Sequence, residues 1–347
     1  LKALIFGCGS IGAHLSNACV ACGIDVLICD ISEAAINRFK KDLYPSRYGE
    51  MPANIKIVTT EDARKHARSC ELILIGTPPD ARMKVLRELD CNNNQVILLE
   101  KPIVAPGPDL KELKSLVNNN KNTIFVSGYD HVVSPSFSRF QEILRDLKTG
   151  NQVSQILVNF RESWAGILNA HTWLNGPEDS YLGYSLRGGG ALCEHSHGLN
   201  AGLIIANMLD NNFMNAESAY SCKRSDSKSP YDCDLFSSVY MKTKNVSLRV
   251  EQDVLTSPAR KFIRVEQEST TVEWICNNIE SKDQIVISKD GRIEIEEFPK
   301  TRADDFKYEI EHLKNLFGGK IKAEDSNIEI KKAILTSQII NESLKME

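Results

Sequence analysis

Nowhere in this chain does an unbroken apolar run approach the roughly 18 residues that a membrane-spanning helix needs, so no spanning helix is expected. An excess of one charge sign is also missing. The 42 Lys and Arg against 46 Asp and Glu leave −4 at pH 7, which argues against a nucleic acid or an anionic membrane as the main partner. Internal repeats at solenoid periods and low-complexity tracts are absent. No secretory leader is expected, because the sequence opens directly on the strand-like Leu1 to Phe6. The missing initiator Met is read as the loss of the first residue or residues.

What is present is ordinary globular material. The 347 residues suffice for two domains with buried cores, with 42% hydrophobic and 25% charged residues. Ten cysteines are scattered along the chain. Many lie in apolar runs, where Cys acts as a small hydrophobe. The set reads as reduced thiols in a cytoplasm. Cys19-Val20-Ala21-Cys22 has redox spacing but falls near the end of a predicted helix, away from the N-terminal position that activates such pairs. Packing is the preferred role.

Short apolar runs alternate with helical stretches through the first part. Strands are expected at Lys2–Phe6, Ile24–Cys29, Ile55–Val58, Leu72–Ile75, Val96–Leu99 and Thr123–Val126. Helices are expected at Ile11–Cys22, Glu33–Leu43, Ala81–Leu89 and Asp109–Val117, with a loop around Pro45 and Pro52. This alternation implies a parallel, doubly wound sheet. After about residue 131 the pattern changes. A helix at Phe137–Leu147 precedes a strand at Val153–Ser163, a Trp- and Tyr-bearing loop at Trp164–Gly190, and a helix at Ala191–Leu209. Consecutive strands then follow at Ala216–Cys222, Leu235–Met241, Val246–Asp253, Phe262–Glu266, Thr271–Cys276 and Gln284–Ile287, which reads as a largely antiparallel sheet. Two amphipathic helices close the chain, Asp304–Phe317 and Asn327–Met346. Ser326 and Glu329 form a candidate capping box for the second. The domain reading is 1–130, 131–303 and a closing helical segment 304–347.

Four motifs carry chemistry. Gly7-Cys8-Gly9-Ser10-Ile11-Gly12 sits between a strand and a helix, where glycines let the backbone approach a pyrophosphate at a helix N-terminus. Asp30 ends the second strand, placed to accept hydrogen bonds from an adenosine ribose and to repel a 2′-phosphate, so NAD is favoured over NADP. Thr77-Pro78-Pro79 ends the fourth strand at the edge where ligands of such sheets lie, and it is also a rigid turn. Glu100-Lys101-Pro102 ends the fifth strand. A lysine beside a positively charged nicotinamide loses its proton more readily, which suits a group sharing a proton with a substrate hydroxyl; a surface ion pair is the plain alternative. Gly188-Gly189-Gly190 opens the helix bearing Glu194, His195 and His197. On a continuous helix Glu194 and His197 share a face, whereas His195 and His197 point apart, which argues against a metal site built from the two.

These residues resemble the Gfo/Idh/MocA family of NAD(P)-dependent oxidoreductases. The glycine turn, the strand ending in Thr77-Pro78, Glu100-Lys101-Pro102, Gly128-Tyr129-x-His131 and the triple glycine at Gly188 occur in that family's order. The resemblance implies an α/β architecture: an N-terminal Rossmann domain, then an α+β domain whose large, mostly antiparallel sheet builds the substrate site and the oligomer interface. It implies a homodimer or homotetramer, NAD as cofactor, and sugars, inositols, sugar nucleotides or polyols as substrates. The family's catalytic lysine falls on Lys101. Its helical acid falls on Glu194, a Glu where Asp is usual. Its histidine is most often four residues later, where this chain has Gly198; members with a Ser-His pair place it three later, which matches Ser196-His197. Gly7, Gly9, Ser10, Ile11, Gly12, Asp30, Thr77, Pro78, Glu100 and Lys101 are then the cofactor contacts. In the loop, Trp164, Trp173, Tyr181 and Tyr184 are candidates to stack on a sugar or to anchor a core or interface. Arg161, Glu162, His171, Glu178, Asp179 and Arg187 are candidates for hydroxyls or a phosphate.

The expected reaction is reversible hydride transfer at a secondary hydroxyl, with Lys101 on the reacting oxygen, His197 as acid or base and Glu194 orienting. Two alternatives keep the fold. One is an enzyme that recycles tightly held NAD during isomerisation or elimination. The other is a non-catalytic NAD-binding regulator.

Overall fold

The computed structural model describes residues 1–90, 94–147, 153–277 and 280–345. Cys91 and the expected helix end at Met346 lie outside them. Two compact units result, the first formed by 1–104, 108–130 and 302–331, the second by 105–107, 131–301 and 332 onward. The closing helical segment is therefore divided between the two units.

In the first unit, six strands form one parallel sheet: β1 (Lys2–Phe6), β2 (Asp25–Cys29), β3 (Ile55–Ile57), β4 (Leu72–Ile75), β5 (Val96–Glu100) and β6 (Ile124–Gly128). Their order is β3-β2-β1-β4-β5-β6. β4 and β5 are buried throughout, as expected of runs covered on both faces. The order reverses between β1 and β4, which sets the crevice at their carboxyl ends. The connecting helices are α1 (Ser10–Ala21), α2 (Glu33–Arg38), α3 (Tyr44–Tyr48), α4 (Thr60–His66), α5 (Pro79–Glu88) and α6 (Asp109–Asn119). The helix expected to reach Leu43 stops at Arg38, passes through a wider turn and resumes as α3. Pro45 opens α3 rather than a loop, since a first-turn residue has no helical N–H bond to lose. α4 was not foreseen. Thr59 caps it by accepting the Asp62 N–H at 3.1 Å.

The second unit holds an eight-stranded sheet: β7 (Ser154–Arg161), β8 (Glu217–Arg224), β9 (Asp234–Lys242), β10 (Val246–Asp253), β11 (Arg260–Gln267), β12 (Thr270–Ile275), β13 (Lys282–Lys289) and β14 (Arg292–Pro299). Its order is β14-β13-β12-β11-β7-β10-β9-β8. Among the described residues, only β7 and β10 of this sheet pair in parallel. β14 was missed because its acidic residues and exposed Ile293 and Ile295 hide the alternation. The signal was the turn: Asp290 and Gly291 both take positive φ, the geometry of a two-residue hairpin. One face is covered by α7 (Pro135–Leu147) and α10 (Ser196–Leu209), while α8 (Trp164–Asn169) and α9 (Gly190–Glu194) lie in the intervening segment.

Trp274 is fully buried among the rings of Phe137, Phe140 and Phe160. Its indole Nε1 donates to Ser136 Oγ at 3.0 Å, and Ser136 in turn donates to Asp283. Asp283 also meets Lys300 Nζ at 3.0 Å, with side chains only 0% and 3% exposed.

The last two helices are α11 (Arg302–Phe317) and α12 (Ile330–Ser343). The second begins later than the capping box at Ser326 and Glu329 would place it. Ser127 N donates to Ile328 O at 3.0 Å, and Val126 bridges Glu329. Residues 326–329 are thus drawn alongside β6, and the helix starts only afterwards. The Ser326 hydroxyl serves local contacts instead: it accepts the Ile328 N–H at 3.2 Å and meets His312 Nε2 at 2.8 Å.

Burial pushes His312 down to about 4 from an ordinary 6.5. A base depressed in the folded state binds more protons when unfolded, so its contribution is lost as pH falls from about 6.5 toward 4. His312→Gln is expected to flatten the acid limb of a stability-against-pH curve measured by urea unfolding.

Candidate functional site

The first unit supplies a nucleotide turn. Gly7 takes φ +109°, and a Cβ there would press on Gly76 and Thr77 at 3.1–3.2 Å. A Cβ on Gly12 would run into the Gly7 carbonyl, whereas Gly9 has open space around it. The turn thus demands glycine at 7 and 12 for its own closure and leaves Gly9 clear for a ligand. Gly9 caps α1 without a side-chain bond, so the first amides of the helix remain available to an anion. Asp30 Oδ2 accepts the Cys8 N–H and Oδ1 the Ser32 N–H, both at 2.8 Å. Each oxygen keeps a second lone pair for a hydroxyl. Thr77 Oγ1 is buried with no hydrogen-bond partner among the described residues. An open Gly9, an orphaned Thr77 hydroxyl and a carboxylate at the end of β2 fit a dinucleotide. Gly12→Ala is expected to abolish dinucleotide binding, measurable by calorimetric titration.

Lys101 follows β5, is half-buried, and forms a cis peptide with Pro102. The plain alternative for Glu100, an exposed ion pair, does not hold, because Glu100 is 4% exposed. Its carboxylate accepts the Lys101 N–H at 3.2 Å and packs against the bare Cα of Gly128. Expected as a cofactor contact, Glu100 faces the protein interior. Burial and then the charge of Asp130 push it up to about 7, against Arg82, Lys101 and Arg302.

Arg82 was not singled out from the sequence. It is 2% exposed on α5 and donates to the carbonyls of Thr77 (3.0 Å), Glu100 and Pro102, with Lys101 O at 3.5 Å. One guanidinium therefore ties the ends of β4 and β5 together. Nothing local marks an arginine on a helix for this role.

The second unit carries His195 and His197. Asp234 is buried on β9. It accepts the Leu192 N–H and the Ser185 hydroxyl at 2.7 Å each, and a Cβ on Gly190 (φ +80°) would collide with it. This fixes the entry of α9. The single helix expected at Ala191–Leu209 breaks at His195 (φ −98°, ψ 18°) into α9 and α10, so the angular argument from a continuous helix does not carry over. His195 is 4% exposed, with Nε2 3.4 Å from the Glu162 carbonyl. His197 lies elsewhere, its ring 4.5 Å from that of His131. His131 was noted only as part of the turn after β6. Gly198 is explained by packing: a Cβ there would lie 2.7 Å from the Phe160 ring. A histidine at 198 has no room, whereas 197 does.

The loop residues divide. Trp164 and Tyr181 pack on a small core of Ile167, Leu182, Ala191 and Val254. Trp173 is half-buried, edge-on to His171 at 5.3 Å. Glu162 pairs with Lys261 at 2.7 Å, and Asp179 accepts the Asn175 N–H at 2.8 Å. Arg187 lies over the Tyr184 ring. Arg161 is not brought together with His197. Phe160 points toward α10, so its neighbour Arg161 emerges on the opposite face, where it pairs with Glu251 at 3.0 Å. The cysteines among the described residues are free thiols. Burial holds Cys19 well above the ordinary thiol range, which disfavours the thiolate a redox pair needs. Among the described residues, no helix is long and apolar enough to cross a membrane.

Comparison with known proteins follows this division. Residues 2–100 match the family described as NADP oxidoreductase coenzyme F420-dependent. A search of curated proteins by sequence finds no match. Among solved structures, the chain is similar to an inositol dehydrogenase homolog from Azotobacter vinelandii complexed with NADH and myo-inositol. The TM-score is 0.73 at 12% identity, covering 99% of this chain and 95% of that one. It is also similar to KijD10, a 3-ketoreductase from Actinomadura kijaniata in complex with NADP and TDP-benzene, with TM-score 0.72 at 12% identity over 99% and 97% of the two chains. The two-part α/β fold implied by the Gfo/Idh/MocA resemblance is the fold observed.

Proposed function

We propose that this protein is an NAD-dependent oxidoreductase acting on a secondary hydroxyl or keto group of a sugar, polyol or sugar nucleotide. The observation that carries the reading is the Lys101 turn: a lysine on a buried strand end, held by Arg82, in the same unit as a glycine turn built for a dinucleotide. The names of the two similar structures favour the substrate class. Bound at this turn, the nicotinamide would supply the hydride chemistry. Gly7, Gly9, Ser10, Ile11 and Gly12 would hold the pyrophosphate and Asp30 the ribose, with Thr77 and Pro78 lining the crevice at the end of β4. Lys101 hydrogen-bonds the reacting oxygen. His197 gives or takes the hydroxyl proton, with His131 against its ring, and Glu194 orients it. Trp173, which is not part of the small core that Trp164 and Tyr181 pack on, is the loop aromatic proposed to meet a sugar.

The test is nicotinamide reduction across a panel of inositols, aldoses and sugar nucleotides, followed by absorbance of the reduced ring. Turnover with at least one member is expected; none across the panel, with NAD bound, would count against the reading. NAD is expected to bind at least about tenfold more tightly than NADP, and Asp30→Asn to narrow that gap. Equal affinities in the unaltered protein would remove Asp30 from its role.

The uncovered face of the eight-stranded sheet is the proposed contact with a second copy. Its edge strand β14 exposes Ile293 at 68% and Ile295 at 58%, more apolar edge than a lone sheet usually leaves open. Ile295→Glu is expected to lower the mass measured by light scattering to that of a smaller assembly.

A further inference from the structure

Behind the Lys101 turn, the first unit buries four carboxylates. Glu100 ends β5, Asp130 follows β6, and Asp305 and Glu309 lie on α11; they are 4%, 2%, 0% and 0% exposed. The cations facing Glu100 are Lys101, Arg82 of α5 and Arg302 of α11; of these Arg302 also faces Glu309, as does the Cys19 thiol of α1. Arg302 Nη1 donates to Asp130 at 2.6 Å and to Asp305 at 3.0 Å. Arg82 is engaged by main-chain carbonyls. Glu309 is left with both oxygens buried and no hydrogen-bond partner among the described residues. A carboxylate so placed, facing Glu100, Asp130 and Asp305, pays for desolvation without a bond in return. The neutral acid is the form this site accepts.

We propose that Glu309 carries a stored proton behind the Lys101 turn, and that the charge of the Glu100–Glu309 pair sets how readily Lys101 releases its own proton. Glu309 is thus a positioning residue, acting on Lys101 through Glu100 by charge alone; no proton passes between them. The lysine part rests on the reading of Lys101 as the residue that hydrogen-bonds the reacting oxygen. While Glu309 stays neutral, Lys101 faces less negative charge and releases its proton more easily. When Glu309 ionises, the added charge holds the ammonium. Burial first, then Glu100, Asp130 and Asp305, raises Glu309 well above the ordinary carboxyl range, with Arg302 opposing. α11 packs against β5, and buried acids on two such packed elements titrate as a unit.

The test uses the whole protein. An infrared band of protonated carboxyl is expected at about pH 8, above the range where Glu100 is mostly protonated, in the unaltered protein and is expected to weaken in Glu309→Gln. Its absence from the unaltered protein, which needs no variant to fold, would overturn the proposal. The second readout is the pH dependence of Lys101 labelling by an amine-reactive probe, followed by mass spectrometry. Glu309→Gln cannot acquire the alkaline charge, so its labelling midpoint is expected to fall by at least about half a unit. Glu100→Gln is expected to move it the same way. Coincident midpoints would overturn the coupling. Shifted midpoints without any hydride transfer to sugars would support the store and overturn the functional reading instead.

Discussion

Lys101→Ala is expected to lower the rate of hydride transfer by about 10²-fold or more while NAD binding stays within a few-fold of the unaltered protein. The separation follows from position. The pyrophosphate and ribose contacts are assigned to the glycine turn and to Asp30, at the ends of β1 and β2. Lys101 lies beyond β5. Removing its ammonium leaves those contacts intact and takes away the group proposed to hydrogen-bond the reacting oxygen. Single-turnover kinetics with saturating NAD isolate the chemical step from product release. Lys101→Arg is expected to rescue little, because guanidinium keeps its proton throughout the working pH range.

Lys300→Met is expected to cost about 3–5 kcal/mol of stability, because it leaves the buried Asp283 charge unpaired. Asp283 and Lys300 are almost wholly shielded from water; the Ser136 hydroxyl and the Asn277 N–H also converge on the same carboxylate, and Trp274 joins them by donating to Ser136. Urea unfolding followed by Trp fluorescence reads this directly, since Trp274 belongs to the network. A midpoint unchanged from the unaltered protein would show that the pair contributes nothing. Replacing both partners by apolar residues is expected to recover part of the loss.

Local patterns made strands of both sheets readable. Leu72–Ile75 and Val246–Asp253 are strands with the expected bounds, because each is an apolar or alternating run between clear breaks. The Glu-Lys-Pro turn was legible as chemistry for the same reason: it stands at a strand end. What sequence could not show is what partners do across long separations. Arg82 reads as a surface residue of a polar helix until the carbonyls at the end of β5 claim it. Glu309 reads as one more acid of an amphipathic helix until α11 turns it inward. Ser326 has the local chemistry of a cap, yet the edge of β6 takes its neighbours first. Gly198, which looked like a missing histidine, is a packing requirement set by Phe160.

The most direct test of the central claim is isotope transfer. A substrate from the panel carrying deuterium on its reacting carbon is mixed with the protein and NAD, and the nicotinamide is examined by mass spectrometry. Deuterium on the nicotinamide ring, formed by the unaltered protein and reduced by about 10²-fold or more in rate in Lys101→Ala, is the predicted result. A nicotinamide that acquires no deuterium from any substrate, or acquires it equally fast without Lys101, would contradict the account.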